Sequence, residues 1–177
     1  MAVEIPLTRG CVALVDDEDA ERVLAHSWSV THSHSGKTRY AGSRFGGRFV
    51  KMHHFIVGKA PKGLQVDHID GNGFNNTRAN LRFVTQGQNL QNRGKFRGCS
   101  SAFKGVNVRK SGRISARICP PGRPLMNIGD FPTEIAAAMA YDAQARLLFG
   151  QHARVNFPLP GEQCAHHIPP IDPHRAA

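Results

Sequence analysis

The sequence predicts an α+β protein assembled from several small units, and three observations carry that prediction. Aromatic residues are sparse at 7% while 18 Gly and 11 Pro are plentiful, a composition suited to small units joined by turns. Residues 64–89 read as strand, loop, strand and helix in succession. Residues 103–149 read as three short strands followed by one helix. A chain of 177 residues has room for one ordinary domain or for two to three very small ones. Small domains bury a lesser share of their surface, so a bound metal or polyanion would add useful stability.

Taken in order, residues 1–50 alternate short apolar runs (Cys11–Val15, Trp28–Val30, Phe49–Met52) with turn material at His34-Ser35-Gly36-Lys37 and Gly46-Gly47. This is expected to be a small strand-rich segment with one short helix after Asp17, the alternative being a loosely ordered arm. Residues 51–93 carry the chemistry below. Residues 94–102, rich in Gly, Ser and basic residues, are expected to form a linker. Residues 103–158 form a second unit, with strand-like runs at Phe103–Val108 and Arg113–Ile118 around a Lys110-Ser111-Gly112 turn, and a third at Leu125–Ile128. Pro132-Thr133-Glu134 supplies an N-cap and an acidic first turn for a helix that Gly150 stops. Ala136, Ala140, Ala143 and Leu147 recur at helical spacing and are expected to face the sheet. Residues 159–177 are expected to be a disordered tail, with His166-His167 inert.

The charge balance points to a partner. Lys and Arg number 23 against 13 Asp and Glu, a net charge of +10 with a pI near 10.1. Eleven of the basic residues fall between Arg78 and Arg123, and no acidic residue stands between Asp70 and Asp130. Such a one-sign stretch attracts polyanions and points to nucleic acid, the alternative being a merely solvated basic surface; the resemblances below imply double-stranded DNA. The four cysteines (11, 99, 119 and 164) include no C-x-x-C pair, which fits a reduced, intracellular protein. The opening MAVEIPLTRG lacks the apolar core of a signal peptide, and no run of 18 apolar residues exists. A cytoplasmic protein, neither secreted nor membrane-bound, is expected.

The informative run is Gln65-Val66-Asp67-His68-Ile69-Asp70-Gly71-Asn72, then Asn75-Asn76, Asn80-Leu81-Arg82 and Gln88-Asn89. Leu64–His68 is a short strand ending in a carboxylate and an imidazole, the loop turns at Asp70-Gly71-Asn72-Gly73, and Leu81–Thr85 returns as a second strand. Thr85-x-x-Gln88 reads as a capping box that opens a helix at Gln86, from which Asn89 is expected to face Asp67 and His68. Phosphodiester hydrolysis needs these residue types. A neutral histidine can deprotonate water near neutral pH. A divalent cation must neutralise charge on the scissile phosphate and the leaving oxygen. The oxygen donors of Asp67 and Asn89 suit Mg2+ or Mn2+, one per site, better than zinc, for which no Cys or His pairs stand at structural spacing.

This run resembles the HNH endonucleases, in particular the phage and intron-encoded homing group, over residues 52–92. The resemblance implies a ββα-metal hairpin in which His68 is the general base and Asp67 and Asn89 hold the metal. Asn80 would pin the loop through backbone hydrogen bonds. Met52-His53-His54 offers the family's upstream histidine, at either His53 or His54, and His53 is counted with His68 and Asn80 in the catalytic set. Arg78 and Arg82 are expected DNA contacts beside it.

Phe103-Lys104-Gly105-Val106, Gly129-Asp130-Phe131, Ala136-Ala137-Ala138-Met139-Ala140-Tyr141-Asp142 and Val155-Asn156-Phe157 resemble an AP2/ERF domain across residues 103–158. That resemblance implies a three-stranded antiparallel sheet, backed by one helix, that reads the major groove. Asn107, Ser111, Ile114 and Asn127 stand where the plant members place arginines and tryptophans, so their target sequence does not carry over. Lys104, Arg109, Arg113 and Arg117 remain as expected DNA contacts. Strand alternation puts Arg113, Ser115 and Arg117 on one face and Ile114, Ala116 and Ile118 on the other.

The expected function is therefore a metal-dependent DNA endonuclease that nicks one strand as a monomer, its second module docking it on the site. The alternative is a non-cleaving DNA-binding regulator with a vestigial hairpin. The resemblance implies the cytoplasm of a bacterial or phage-infected cell.

Overall fold

The computed structural model describes residues 1–33, 38–95 and 99–165. Among these the chain falls into two compact units, residues 1–85 and residues 86–165. The architecture is mixed α+β, with several small sheets and few helices.

In the first unit, β1 (Ala2–Pro6) and β2 (Val12–Asp16) form an antiparallel pair. Helix α1 (Asp17–Leu24) comes directly after β2, its first turn carrying Asp17, Glu18 and Asp19 where carboxylates meet unpaired helix N–H groups. Strands β3 (Ser29–His32), β4 (Arg39–Phe45) and β5 (Arg48–Lys51) make an antiparallel sheet, with Gly46 and Gly47 at positive φ in the β4–β5 turn. The turn expected at His34–Lys37 lies outside the described residues. Helix α2 (Met52–Val57), which the sequence pattern does not foretell, leads to the hairpin of β6 (Leu64–His68) and β7 (Leu81–Thr85).

Residues 1–50 are part of the first unit's core and not a separate arm. Ile5, Val15, Val23 and Trp28 share one core with Met52, Ile56, Phe74 and Leu81. Full burial of side chains of this size contributes about 1.5–3 kcal/mol each. The backbone closes the same joint: Leu14 N donates to Phe74 O at 2.8 Å, and Asn76 N donates to Leu14 O at 2.7 Å. The N-terminal strands thus form the wall on which the 69–80 loop is built.

The second unit begins with α3 (Gln86–Gln91), so the helix predicted to complete the hairpin packs with the residues C-terminal to it. Strands β8 (Val106–Val108), β9 (Ile114–Ile118) and β10 (Met126–Phe131) form an antiparallel sheet in the order β10-β9-β8. The predicted turn sits between β8 and β9, where Gly112 N donates to Arg109 O at 2.9 Å. Helix α4 (Glu134–Phe149) is capped by Thr133, whose hydroxyl accepts from Ala136 N at 3.1 Å.

The face of α4 expected to meet the sheet is not the one that does. Ala137, Ala138, Tyr141, Ala145 and Phe149 are buried, while Ala143 and Leu147 are exposed and Ala136 and Ala140 are not among the buried residues. Alanine is nearly neutral in an apolar pattern, so the bulky Tyr141 and Phe149 set the face. Gly105 lets that face close, because a Cβ there would lie 1.9 Å from the Tyr141 ring.

Two stretches expected to lack structure carry some. Of the linker, Ser101 is buried and its hydroxyl accepts from Phe103 N, while residues 96–98 lie outside the described residues. Of the tail, residues 159–165 turn back so that β12 (Gln163–Cys164) pairs in parallel with β11 (Arg154–Val155), and Ala165 is fully buried. His166-His167 lies outside the described residues.

Gly73 makes a very close backbone approach in the first unit. A Cβ there would lie 2.2 Å from the Arg39 carbonyl and 2.6 Å from the Tyr40 ring, and the carbonyl belongs to a paired strand that cannot give way. Gly73→Ala is expected to destabilise the first unit by about 1–3 kcal/mol. Urea unfolding of the variant against the native chain checks this, and an unchanged midpoint would contradict the packing.

Candidate active site and nucleic-acid interface

Strand β6 delivers Asp67 and His68 side by side at its end, and β7 places Arg82 opposite Asp67 and Leu81 opposite His68. The loop between the strands is held by amide and carboxylate side chains. Asn80 Oδ1 accepts from Asp70 N at 3.0 Å, while Asn80 Nδ2 donates to Asp70 Oδ1 at 3.0 Å and to Asn75 O at 2.8 Å. Asp70 also accepts from Asn72 N at 2.7 Å and from Asn75 Nδ2 at 2.8 Å. Asn80 therefore binds backbone on both sides of the loop, and Asp70 is occupied as a loop organiser.

His68 is buried, and its Nε2 lies 3.3 Å from Asn76 Oδ1. The Asn76 amide is oriented by its own Nδ2, which donates to Phe74 O at 3.0 Å. A carbonyl oxygen only accepts, so the His68 proton sits on Nε2 and the basic lone pair on Nδ1. Burial pushes the His68 pKa down, against the opposing pull of the Asn76 bond and of Asp70 and Asp67. Asn76, itself fully buried, is a functional neighbour to which the sequence pattern assigns no role. Its only signal in the sequence is adjacency to Asn75 in the motif.

Aromatic groups close over the imidazole. The His53 ring lies 5.0 Å from that of His68, and Tyr40 from β4 lies 5.4 Å from His53 and 5.8 Å from His68. His53 is buried, with its Nδ1 lacking a hydrogen-bond partner among the described residues, whereas His54 Nδ1 lies 3.3 Å from Gly58 O. Of the two candidate histidines, His53 is the one packed against His68. Burial, together with the charges His68, His54 and Lys51 would bring, pushes His53 down to about 2.

Asp67 is buried and its Oδ2 accepts from Arg82 Nε at 3.0 Å. Arg82 is thus committed to the carboxylate beside the candidate base. Arg78 is committed as well: its guanidinium binds the buried Asp19 at 2.8 and 3.0 Å, and its backbone N–H donates to Asp16 at 2.7 Å. Burial works against ionisation of Asp19, but Arg78 and Arg22 outweigh it and hold the carboxyl below its ordinary range. Asn89 lies on α3, in the second unit. Among the described residues no group of three or more His, Cys, Asp or Glu side chains could hold a metal. A buried carboxylate such as Asp67 suits a hard cation that takes the rest of its shell from water and substrate phosphate.

In the second unit, Arg109, Arg113, Ser115 and Arg117 line a cleft of about 350 Å3 with Asn127 and Asp130 on the sheet. Ala116 and Ile118 are buried on the helix side, as strand alternation requires. Arg113 pairs with Asp130, which lowers that carboxyl. Lys104 is placed otherwise than expected. Its Nζ donates to Gln91 O at 2.9 Å, and burial pushes its pKa down to about 8. The Tyr141-Asp142 and Asn156-Phe157 motifs meet in the interior, where Asp142 accepts from Asn156 N at 2.7 Å and Phe157 N at 2.8 Å, and Asn156 Oδ1 accepts from Lys104 N at 2.7 Å.

The chain belongs to the HNH endonuclease family, whose model matches residues 52–91, the span of α2, the β6–β7 hairpin and α3. An uncharacterized HNH endonuclease of Acanthamoeba polyphaga mimivirus is 34% identical over 153 residues, covering 84% of this chain and 76% of the viral one. Shorter matches reach plant proteins. A dehydration-responsive element-binding protein 2A of Oryza sativa subsp. indica is 48% identical over 58 residues, 32% of this chain and 21% of its own. Ethylene-responsive transcription factor 3 of Nicotiana tabacum is 46% identical over 66 residues, 37% of this chain and 28% of its own. No solved structure matches. No helix among the described residues is long and apolar enough to cross a membrane.

The two buried histidines predict a pH dependence. A native pKa below the ordinary 6.5 means the unfolded chain binds the proton more tightly, so stability is complete above pH 6.5 and lost as pH falls below it. His53, pushed down to about 2, contributes a slope approaching about 1.4 kcal/mol per pH unit over this range. In urea unfolding between pH 7 and 5, His53→Gln should show a shallower fall in stability than the native chain. Identical slopes would contradict a neutral, buried His53.

Proposed function

We propose that this chain is a metal-dependent DNA endonuclease that nicks duplex DNA as a monomer, with His68 as general base and Asp67 and Asn89 as metal ligands. The observation that carries the reading is the buried His68 imidazole, its Nε2 3.3 Å from Asn76 Oδ1, at the end of the strand beside the Asp67 carboxylate. His68 Nδ1 takes a proton from water, whose oxygen bonds to the scissile phosphorus as the bond from phosphorus to the 3′ oxygen breaks. Bound Mg2+ or Mn2+ supplies charge neutralisation for the phosphate and the leaving oxygen. Arg82 holds the Asp67 carboxylate in one orientation, and Asn80 keeps the loop after His68 closed. His53 and Tyr40 shield the imidazole from bulk water, which keeps it unprotonated at neutral pH.

The second unit is proposed to dock the enzyme on DNA through the sheet face bearing Arg109, Arg113 and Arg117. The plant relatives whose names describe element-binding and transcription factors support a DNA-reading role for an AP2/ERF-like module here. Lys104 and Arg78, bound internally, are left out of that surface. A homing role on phage or mobile-element DNA is the biological setting this combination fits.

His68→Ala tests the reading. Loss of a positioned base costs about 10²–10⁴-fold in rate. The variant should leave supercoiled plasmid uncut in divalent metal while binding the same duplex with native affinity. Nicking by the variant near the native rate at pH 7–8 would reject His68 as the base. Binding without cleavage by the native chain would favour the regulator with a vestigial hairpin.

A further inference from the structure

Asp19 is a carboxylate on α1 that is only 1% exposed, and an ion taken that far from water is tolerated only when it is well paired. Two arginines pair it. Arg78 donates through Nε to Asp19 Oδ2 at 2.8 Å and through Nη2 to Oδ1 at 3.0 Å. Arg22 donates through Nε to Oδ1 at 2.9 Å, and its Nη2 also reaches Ile56 O on α2 at 3.0 Å. On its outer side Arg78 meets the exposed Glu18 at 2.6 Å. Its backbone is fixed as well, with Arg78 N donating to Asp16 Oδ2 at 2.7 Å. Arg78 opens the 3-10 turn Arg78–Asn80, and Asn80 ends it. From Asn80 two hydrogen bonds reach the residues directly after His68. Ile69 N donates to Asn80 O at 2.9 Å, and Asp70 N donates to Asn80 Oδ1 at 3.0 Å. All of these bonds lie within the first unit.

We infer that Asp19 and Arg78 are positioning residues of the nuclease: their pair fixes the Arg78–Asn80 turn, and through Asn80 the turn fixes the backbone that leaves His68. The inference rests on the proposed role of His68 as general base. It gives the N-terminal segment a part in the reaction besides filling the core, because a carboxylate from α1 sets where the hairpin loop stands. A two-pronged guanidinium–carboxylate contact defines direction as well as distance, so the turn is held in one orientation. Arg78 then acts through Asn80 on His68 and touches no phosphate.

The experiment compares full-length native protein with Arg78→Met, Arg78→Lys, Asp19→Asn and the Asp19→Asn/Arg78→Met double variant. In Arg78→Met the Asp19 carboxylate keeps Arg22, so no buried charge is left alone. Misplacing a reacting group by about 1 Å costs about a hundredfold in rate. Arg78→Met should slow single-turnover nicking at saturating Mn2+ by about ten- to hundredfold, while its affinity for the same duplex in chelator stays native. Arg78→Lys, which supplies charge without the two-pronged contact, should restore part of the rate. The double variant should be no slower than the slower single one, because both substitutions remove the same contact. The two Arg78 variants decide alone should Asp19→Asn fail to fold. Hydrogen exchange reads the turn apart from the chemistry: in Arg78→Met the Ile69 and Asp70 amides should exchange faster while the β4–β5 amides keep their protection. A native nicking rate in Arg78→Met would overturn the inference, and so would slow nicking with native exchange at Ile69 and Asp70. Weaker duplex binding in chelator with an unchanged rate would also overturn it, returning Arg78 to the phosphate contacts. Nicking by His68→Ala at the native rate would sink the base reading and this inference with it. An inactive His68→Ala beside a fully active Arg78→Met would sink this inference alone.

Discussion

The hydrogen bond between Asn76 and His68 is the constraint on which the first unit depends. An imidazole taken out of water is tolerated only if its N–H is satisfied, and the fully buried Asn76 amide does this while its own N–H group holds Phe74 O. The same residue's backbone closes onto Leu14. One asparagine therefore links the N-terminal strands, the loop and the candidate base. Around it, Asn80, Asp70 and Asn75 tie the loop together with side-chain hydrogen bonds up to the 3-10 turn at Arg78–Asn80. Because Asn76 lies against Nε2, the proton that the proposed reaction would have His68 accept goes to Nδ1.

The second constraint is how the chain uses its positive charge. Four candidates singled out as DNA contacts are engaged within their own unit. Arg78 binds Asp19, Arg82 binds Asp67, Lys104 binds Gln91 O, and Arg113 pairs with Asp130. Arg109 and Arg117 remain on the sheet cleft without an ion pair among the described residues. An acid-free stretch of sequence does not amount to a free cationic surface, because the carboxylates that pair with it come from elsewhere in the chain. Asp19 stands 59 positions before Arg78.

Much of the site is legible in the sequence because its residues are contiguous or regularly spaced. The strand ending in Asp67-His68, the turn, the returning strand and the helix at Gln86 all arise from short-range pattern, and so do the three strands and capped helix of the second unit. The features that escape the sequence depend on contacts distant along the chain. The buried face of α4 is set by Tyr141 and Phe149 meeting the sheet, a choice that a run of alanines leaves open. The place of residues 1–50 in the core comes from Ile5, Val15 and Trp28 meeting Met52 and Phe74, and helix α2 is too short to show a period. Ordered structure at residues 159–165 depends on Ala165 N reaching Val155 O at 2.7 Å, which composition does not foretell.

A carboxylate and a neutral histidine at the end of β6 are proposed to cut DNA with the help of a divalent cation. A time course of the full-length native chain on supercoiled plasmid, in chelator and across a titration of Mg2+ and of Mn2+, tests this most directly. No cutting in chelator, saturable metal activation, and nicked circles accumulating before any linear product are expected. Cutting at full rate in chelator, or no cutting at any concentration of either metal, would contradict it.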